Sequence, residues 1–400
     1  MRYLLINCTI YTGTSVLRNH AVLVNDTLIE AVLPAVETPK DVPRHDCHGG
    51  ILSAGFIDLQ LYGGGGKLFS VEPTVEALAS IRAHTLRHGT TSFLPTMPTN
   101  SPGMMQAAVA AVREAQPTMP SLLGVHLEGP YINPIKKGAH QEEFIQQPTT
   151  ASIAELLAHA KGILRMMTLA PEVATPEITG VLRAAGVVLS AGHSNATYEQ
   201  GSTAFHQGFT AATHLFNAMS QLGSREPGLV GAIYDADMAR ASIIADGVHC
   251  AFAALRISKK ILGERLFLIT DAVDESTTGA YRFHRQDNYF VNEQGTLAGS
   301  ALTMPEAVRN CVQEAGIPLA EALRMASLYP AQALGLDDDR SWIVLDEVNQ
   351  FAWPGYDIRP VPGSKARFAY GFIPPKLYDT VIGRILELAA AQRVAEIPRD

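Results

Sequence analysis

Cysteine is scarce in this 400-residue chain: Cys8, Cys47, Cys250 and Cys311 are widely scattered and form no CxxC pair. That spacing offers neither a disulfide framework nor a thiolate zinc site, and it suits a reducing cytoplasm. Positive charge is also in deficit, with 31 Lys and Arg against 39 Asp and Glu and a formal net charge of -8. A nucleic-acid partner is therefore not expected, because phosphate backbones select positive surfaces. No apolar run approaches the roughly 20 residues that span a bilayer, so no membrane segment is expected either. The opening MRYLLINCTIYTG lacks a long apolar core and a small-residue cleavage site, and reads as a strand rather than a signal. There is no internal repeat and no low-complexity tract. The Gly63–Gly66 run lacks the Lys-Ser/Thr that completes a P-loop; it reads as a permissive turn that lets a substrate approach.

What is present is a globular composition, 47% hydrophobic and 18% charged. Residues 1–54 alternate short β-branched runs (LLINCTIY, AVLVN, LIEAVL) with turn-prone residues, the pattern of a small β domain. From Gly55 the rhythm changes. Eight apolar runs follow: FIDLQL, TSFLPT, LLGVHLE, LRMMTLAPE, VVLSAGH, TAATHLF, ASIIADG and RLFLITDA. Between them lie segments of helical periodicity such as VEALASIRAHTLRHG, SIAELLAHAKG and FAALRISKKILG. Eight strands alternating with helices predict an α/β fold, a (β/α)₈ TIM-type barrel over 55–336; an open doubly wound sheet shares the alternation and is the rival.

The runs end in Asp58 and Gln60, Glu128, Glu172, His193, His214, Asp246 and Asp271. One polar residue there could be a strand cap. A succession of them is what a barrel active site requires, because the C-terminal strand ends converge on one mouth. Either histidine alone would read as a satisfied core or surface residue. Together, Glu128, His193 and His214 offer one carboxylate and two imidazoles, a catalytic zinc set that leaves a position for water. Asp271 is the candidate general base that takes the water's proton and returns it to the leaving group.

The segments GFIDLQLYGGGG, GVHLEGPYINPIKKGAH, LAPE, SAGHSNATYEQ, ATHLFNAMSQLGSREPGLVGAIYD, IIADGVHC, LITDA and GTLAGSALTM appear in one order. In that order the chain resembles the N-acetylglucosamine-6-phosphate deacetylases, a branch of the amidohydrolases. The resemblance implies a barrel flanked by a small β-sandwich domain built from both chain ends, a homodimer, and an amino-sugar phosphate as small-molecule substrate. It implies Glu128, His193 and His214 as ligands of a divalent ion, with zinc expected, and Asp271 as catalytic acid/base. It places His140 to polarise the acetyl carbonyl and Asn217 and Ala218 near the sugar and phosphate. Arg225 and His249 match phosphate-binding positions, the Arg donated across the dimer. Amide hydrolysis fits these parts, since it needs a nucleophile, an electrophile at the carbonyl oxygen and an acid for the departing amine. Tyr131, Ser300 and Thr303 are further candidates for lining the site, and Asp246 reads as a loop-stabilising carboxylate.

Two departures stand out. Where many amidohydrolases carry a His-x-His pair, this chain has Gln60 and Tyr62, so one metal ion per chain is expected. The tail, 337–400, keeps only partial versions of the family's closing strand (PGYDIRPV, VPGSKARFAY), and is expected to return in part to the small domain. The sugar epimer stays open, N-acetylgalactosamine-6-phosphate being the other substrate candidate. A hydrolase of cyclic amides and a non-catalytic sugar-phosphate-binding protein remain as alternatives from further afield.

Overall fold

A computed structural model describes residues 2–336, with two further backbone strands at Ile358–Pro360 and Phe368–Tyr370. Alternating apolar residues set the first elements. β1 (Arg2–Tyr11), β2 (Val16–Asn25), β3 (Leu28–Pro34) and β4 (Arg44–Ser53) form a sheet in the order β3-β2-β1-β4. β1 pairs antiparallel with β2 and parallel with β4. Because successive side chains point to opposite faces, Leu5, Ile10, Val22 and Val24 join one apolar cluster while Leu4, Ala21 and Leu23 join another.

The barrel begins with β5 (Phe56–Leu61), followed by a small hairpin of β6 (Gly63–Gly64) and β7 (Lys67–Leu68). The remaining staves are β8 (Thr90–Pro98), β9 (Val125–Glu128), β10 (Leu164–Leu169), β11 (Val188–Ala191), β12 (Ala211–Ala212), β13 (Arg240–Ile244) and β14 (Leu266–Ile269). They lie side by side in chain order, an eight-stranded sheet running from β5 to β14. The Asp271 N–H donates to Gln60 O at 2.9 Å and Leu61 bridges to Ala272, which brings the two outer strands together. An open doubly wound sheet would reverse its strand order at a switch point, and this one does not.

A helix follows each stave: α1 (Val75–Arg87), α2 (Pro102–Ala115), α3 (Thr150–His159), α4 (Pro176–Ala184), α5 (Tyr198–Gln207), α6 (Gly228–Asp235), α7 (Phe252–Leu262) and α8 (Met304–Gln313). Five of them start at a hydroxyl, Thr74, Ser101, Thr149, Thr175 or Thr197, whose oxygen accepts an N–H of the first turn. Their apolar faces and the staves form one continuous core. Between β14 and α8 the chain inserts an antiparallel sheet, β15 (Phe283–Gln286), β16 (Tyr289–Asn292) and β17 (Leu297–Ser300). Phe283 and Phe290 pack it onto Tyr62, Val273 and Tyr281, beside the barrel mouth.

The two late strands, β18 (Ile358–Pro360) and β19 (Phe368–Tyr370), pair antiparallel, and β19 lies beside β3. Everything else expected of the 337–400 tail lies outside the described residues. No helix among the described residues is long and apolar enough to cross a membrane.

Candidate metal centre and its pocket

Strand ends bring the predicted residues together. Glu128 closes β9, while His193, His214 and Asp271 each sit two residues beyond the end of β11, β12 and β14. All three of the latter adopt left-handed backbone, with φ of 48°, 35° and 56°. Non-glycine residues hold such conformations only where the surroundings over-determine them, at a cost of about 1–3 kcal/mol each. The backbone is thus bent to aim these side chains into the mouth.

Glu128 is the hub. Its Oε1 lies 3.2 Å from His193 Nε2 and 3.0 Å from His214 Nε2, and those two nitrogens are 3.2 Å apart. The same oxygen accepts from Gln60 Nε2 at 2.9 Å, while Oε2 accepts from the Tyr62 hydroxyl at 2.6 Å and from His140 Nε2 at 2.9 Å. Burial opposes ionisation of Glu128, but His193 and His140 outweigh it and hold the carboxyl well below its usual range.

The remaining nitrogens decide which histidines can donate a lone pair. His193 Nδ1 faces the Lys136 carbonyl at 2.9 Å and must carry a proton there, leaving Nε2 free to ligate. His140 is the reverse. Its Nδ1 accepts the Thr99 backbone N–H at 3.2 Å, so its proton sits on Nε2, and burial pushes its pKa down to about 4, keeping it neutral. Glu128, His140 and His193 each present a ligand atom within 4.8 Å of the others. By its hydrogen bonds, however, His140 is a donor in that group and His214 the second lone pair. The His214 Nδ1 is buried without a partner.

Asp271 shares a cavity with this cluster, its Oδ1 buried and unpartnered, and burial pushes its carboxyl up to about 6. The cavity between them has a volume of about 210 Å³. Asn217, Ala218 and His249 also line it, and the Asn217 N–H is already spent on His214 O at 2.9 Å. His249 is fixed by Asp246, whose Oδ2 is 2.6 Å from His249 Nδ1 and whose Oδ1 accepts the N–H groups of Val248 and His249 at 2.9 and 2.8 Å. Asp246 therefore acts through the loop it ties.

Other expected residues lie elsewhere. Arg225 is exposed in the turn before α6 and does not line the pocket of its own chain. Tyr131 donates to Ser152, Ser300 to the Thr270 carbonyl, and Thr303 forms the capping box of α8, so none of the three lines the cavity. The glycine run makes a tight hairpin, Gly65 and Gly66 having φ of 66° and 81°, and it packs against α1: a Cβ at Gly64 would meet the His84 ring at 2.9 Å. Glu172 turns aside to bind Asn133, Ser194 and Asn195, bracing the loop that carries His193. Four supports were missed by sequence reasoning: Gln60 and Tyr62 as donors to Glu128, Thr99 behind His140 and the Lys136 carbonyl behind His193. Only the first two had a signal, standing where His-x-His was expected.

Residues 51–341 match the amidohydrolase family and residues 2–52 the NagA composite domain. The chain belongs to the amidohydrolase family. Curated relatives include the N-acetylglucosamine-6-phosphate deacetylase of Haemophilus influenzae, 42% identical over 84% of this chain and 91% of that one. The N-acetylgalactosamine-6-phosphate deacetylase of a Shewanella species is 38% identical over 78% and 82%. Among solved structures, the N-acetylglucosamine-6-phosphate deacetylase from Pasteurella multocida superposes with a TM-score of 0.82 at 38% identity, covering 88% of this chain and 94% of that one. The Mycobacterium smegmatis enzyme superposes at 0.77 with 32% identity, covering 86% and 93%. The resemblance carried by HLEGP, GHSNAT and THLFNAM holds for this amidohydrolase over residues 2–341.

Proposed function

We propose that this amidohydrolase removes the acetyl group from N-acetylglucosamine-6-phosphate, giving glucosamine-6-phosphate and acetate. The observation that carries the reading is the convergence of Glu128 Oε1, His193 Nε2 and His214 Nε2 within 3.2 Å, sharing a cavity with Asp271, whose buried Oδ1 has no partner. Three lone-pair atoms so close repel one another unless a proton or a cation stands between them, and two nitrogens with one oxygen suit Zn²⁺. One zinc ion per chain, held by Glu128, His193 and His214, is the expected complement. Gln60 and Tyr62 favour a single ion, because both are spent as donors on Glu128. When bound, the ion supplies a Lewis acid that activates water and polarises the amide carbonyl.

The protein's own groups do the rest. Asp271, raised to about 6 by burial, accepts a proton from the attacking water and returns it to the amine nitrogen as the C–N bond breaks. His140 keeps its proton on Nε2, donated to Glu128 Oε2 in the empty pocket, and gives it to the carbonyl oxygen as charge develops there. His249, locked by Asp246, and the segment Asn217–Ala218 line the same cavity and meet the sugar and phosphate. Arg225 completes the phosphate site from a second copy of the chain, in a homodimer. A cytoplasmic setting belongs to the same reading, supported by four free thiols.

The Shewanella relative keeps the galactosamine epimer in view. Acetate release measured in parallel from both N-acetylamino-sugar phosphates tests the assignment. A higher kcat/KM for the glucosamine epimer is expected, and a preference for the galactosamine epimer would transfer it.

A further inference from the structure

Below the mouth, inside the barrel, four buried side chains form one continuous run of hydrogen bonds. His126 Nδ1 is 3.0 Å from Leu59 O, and its Nε2 is 2.7 Å from Thr168 Oγ1. Thr168 Oγ1 is 2.6 Å from Thr213 Oγ1, which is 2.6 Å from Ser190 Oγ. The direction of the run is forced. The Leu59 carbonyl can only accept, so His126 carries its proton on Nδ1 and its Nε2 accepts from Thr168. With that proton spent, the Thr168 oxygen accepts from Thr213, whose oxygen accepts from Ser190. Every hydroxyl rotor is fixed in the only arrangement that satisfies the run.

Its members stand directly before the strand ends that bear the ligands. His126 is two residues before Glu128, Ser190 three before His193, and Thr213 is next to His214. Thr168, on the ligand-free β10, bridges the others. At Gly192 an added Cβ would lie 2.8 Å from Thr168 Cγ2 and 2.9 Å from Thr213 Cβ, so the backbone just before His193 rests on the two threonines. Of the three ligands, His193 and His214 are held in left-handed backbone, a conformation that needs such support.

We propose that the run His126–Thr168–Thr213–Ser190 is a positioning device for the metal ligands, fixing the spacing of Glu128, His193 and His214 and thereby the affinity for a divalent ion. The proposal rests on the ligand assignment above. A merely structural network would change the stability of the metal-free protein and leave ion affinity alone; a positioning network changes affinity and coordination geometry.

The test uses the full chain, stripped with a chelator and titrated with Zn²⁺ against a chromophoric competitor, and with Co²⁺ followed by its visible absorption. Thr213→Val keeps the shape but breaks the run at its centre. It is expected to bind Zn²⁺ about 10–100-fold more weakly, as loss of groups that orient ligands does elsewhere, and to alter the Co²⁺ spectrum. Thr213→Ser, which keeps the hydroxyl, restores both. Wild-type affinity in Thr213→Val, a fall confined to the melting temperature of the metal-free protein, or failure of the serine to rescue would each overturn the proposal. Should Thr213→Val not fold, Ser190→Ala removes only the last donor; weaker Zn²⁺ binding supports the proposal and unchanged binding overturns it. Glu128→Gln is the separate control: wild-type affinity there would overturn the ligand assignment itself, whatever Thr213 does.

Discussion

Asp246→Asn probes the proposed phosphate contact of His249 without touching the proposed metal ligands. The Asp246 carboxylate is buried and engages three donors, the N–H groups of Val248 and His249 and the Nδ1 of His249. An asparagine can keep its oxygen toward the two backbone groups. Its NH₂ then meets the His249 Nδ1–H, donor against donor, and the imidazole must change tautomer or swing away. The loss is that of one buried charge-assisted hydrogen bond, about 1.5–3 kcal/mol, which corresponds to roughly 10- to 150-fold in whatever depends on His249. If His249 binds phosphate, that factor appears in KM for the phosphorylated sugar, with kcat little changed. The unphosphorylated N-acetylamino sugar should be hydrolysed as by the parent. Steady-state acetate release from both sugars reads all four constants. An unchanged ratio between the two substrates would refute the assignment of His249, and a fall in kcat at constant KM would move it to the chemical step.

Asp271→Asn should lower kcat by at least about 10²–10⁴-fold while substrate still binds, since the amide cannot exchange the proton; near-normal turnover with metal in place would rule out the acid/base role. The base acts ionised, and burial raises its pKa to about 6, so kcat/KM should fall as pH drops through about 6 or lower, a bound cation pulling the midpoint down. A midpoint above 7 in a metal-replete pH profile would show that another group limits the rate. Because Arg225 is exposed and absent from its own pocket, the phosphate contact proposed for it needs a second protomer. Mixing Arg225→Ala with Asp271→Asn subunits should then yield more activity than either alone, through sites that pair an intact Asp271 with an intact Arg225; no gain after confirmed subunit exchange would remove Arg225 from the site.

The staves were legible because each is a short apolar run closed by a polar residue, and all eight runs correspond to strands. β4 and the β15–β17 sheet were not. β4 reads RHDCHGGILS, mostly exposed and nearly without apolar alternation, and the inserted strands are only four residues long. Residue type at a strand end told which side chains could serve a metal, but not where each one points. Glu128 and Glu172 look alike in sequence; one forms the hub and the other braces a loop. The histidine roles were likewise hidden, since they follow from what stands behind the ring: a carbonyl behind His193, an N–H behind His140. Such partners come from distant loops and leave no local pattern. Tyr62 was visible as a departure, and its bond to Glu128 explains it only in three dimensions.

The central claim is that a divalent ion held by Glu128, His193 and His214 drives acetyl removal from an amino-sugar phosphate. Its most direct test is acetate release from N-acetylglucosamine-6-phosphate by chelator-stripped protein, before and after Zn²⁺ is returned in measured equivalents. The account predicts negligible release from the stripped protein and recovery that saturates at about one equivalent per chain. Full activity without metal, no activity at any loading, or saturation only at two equivalents would contradict it.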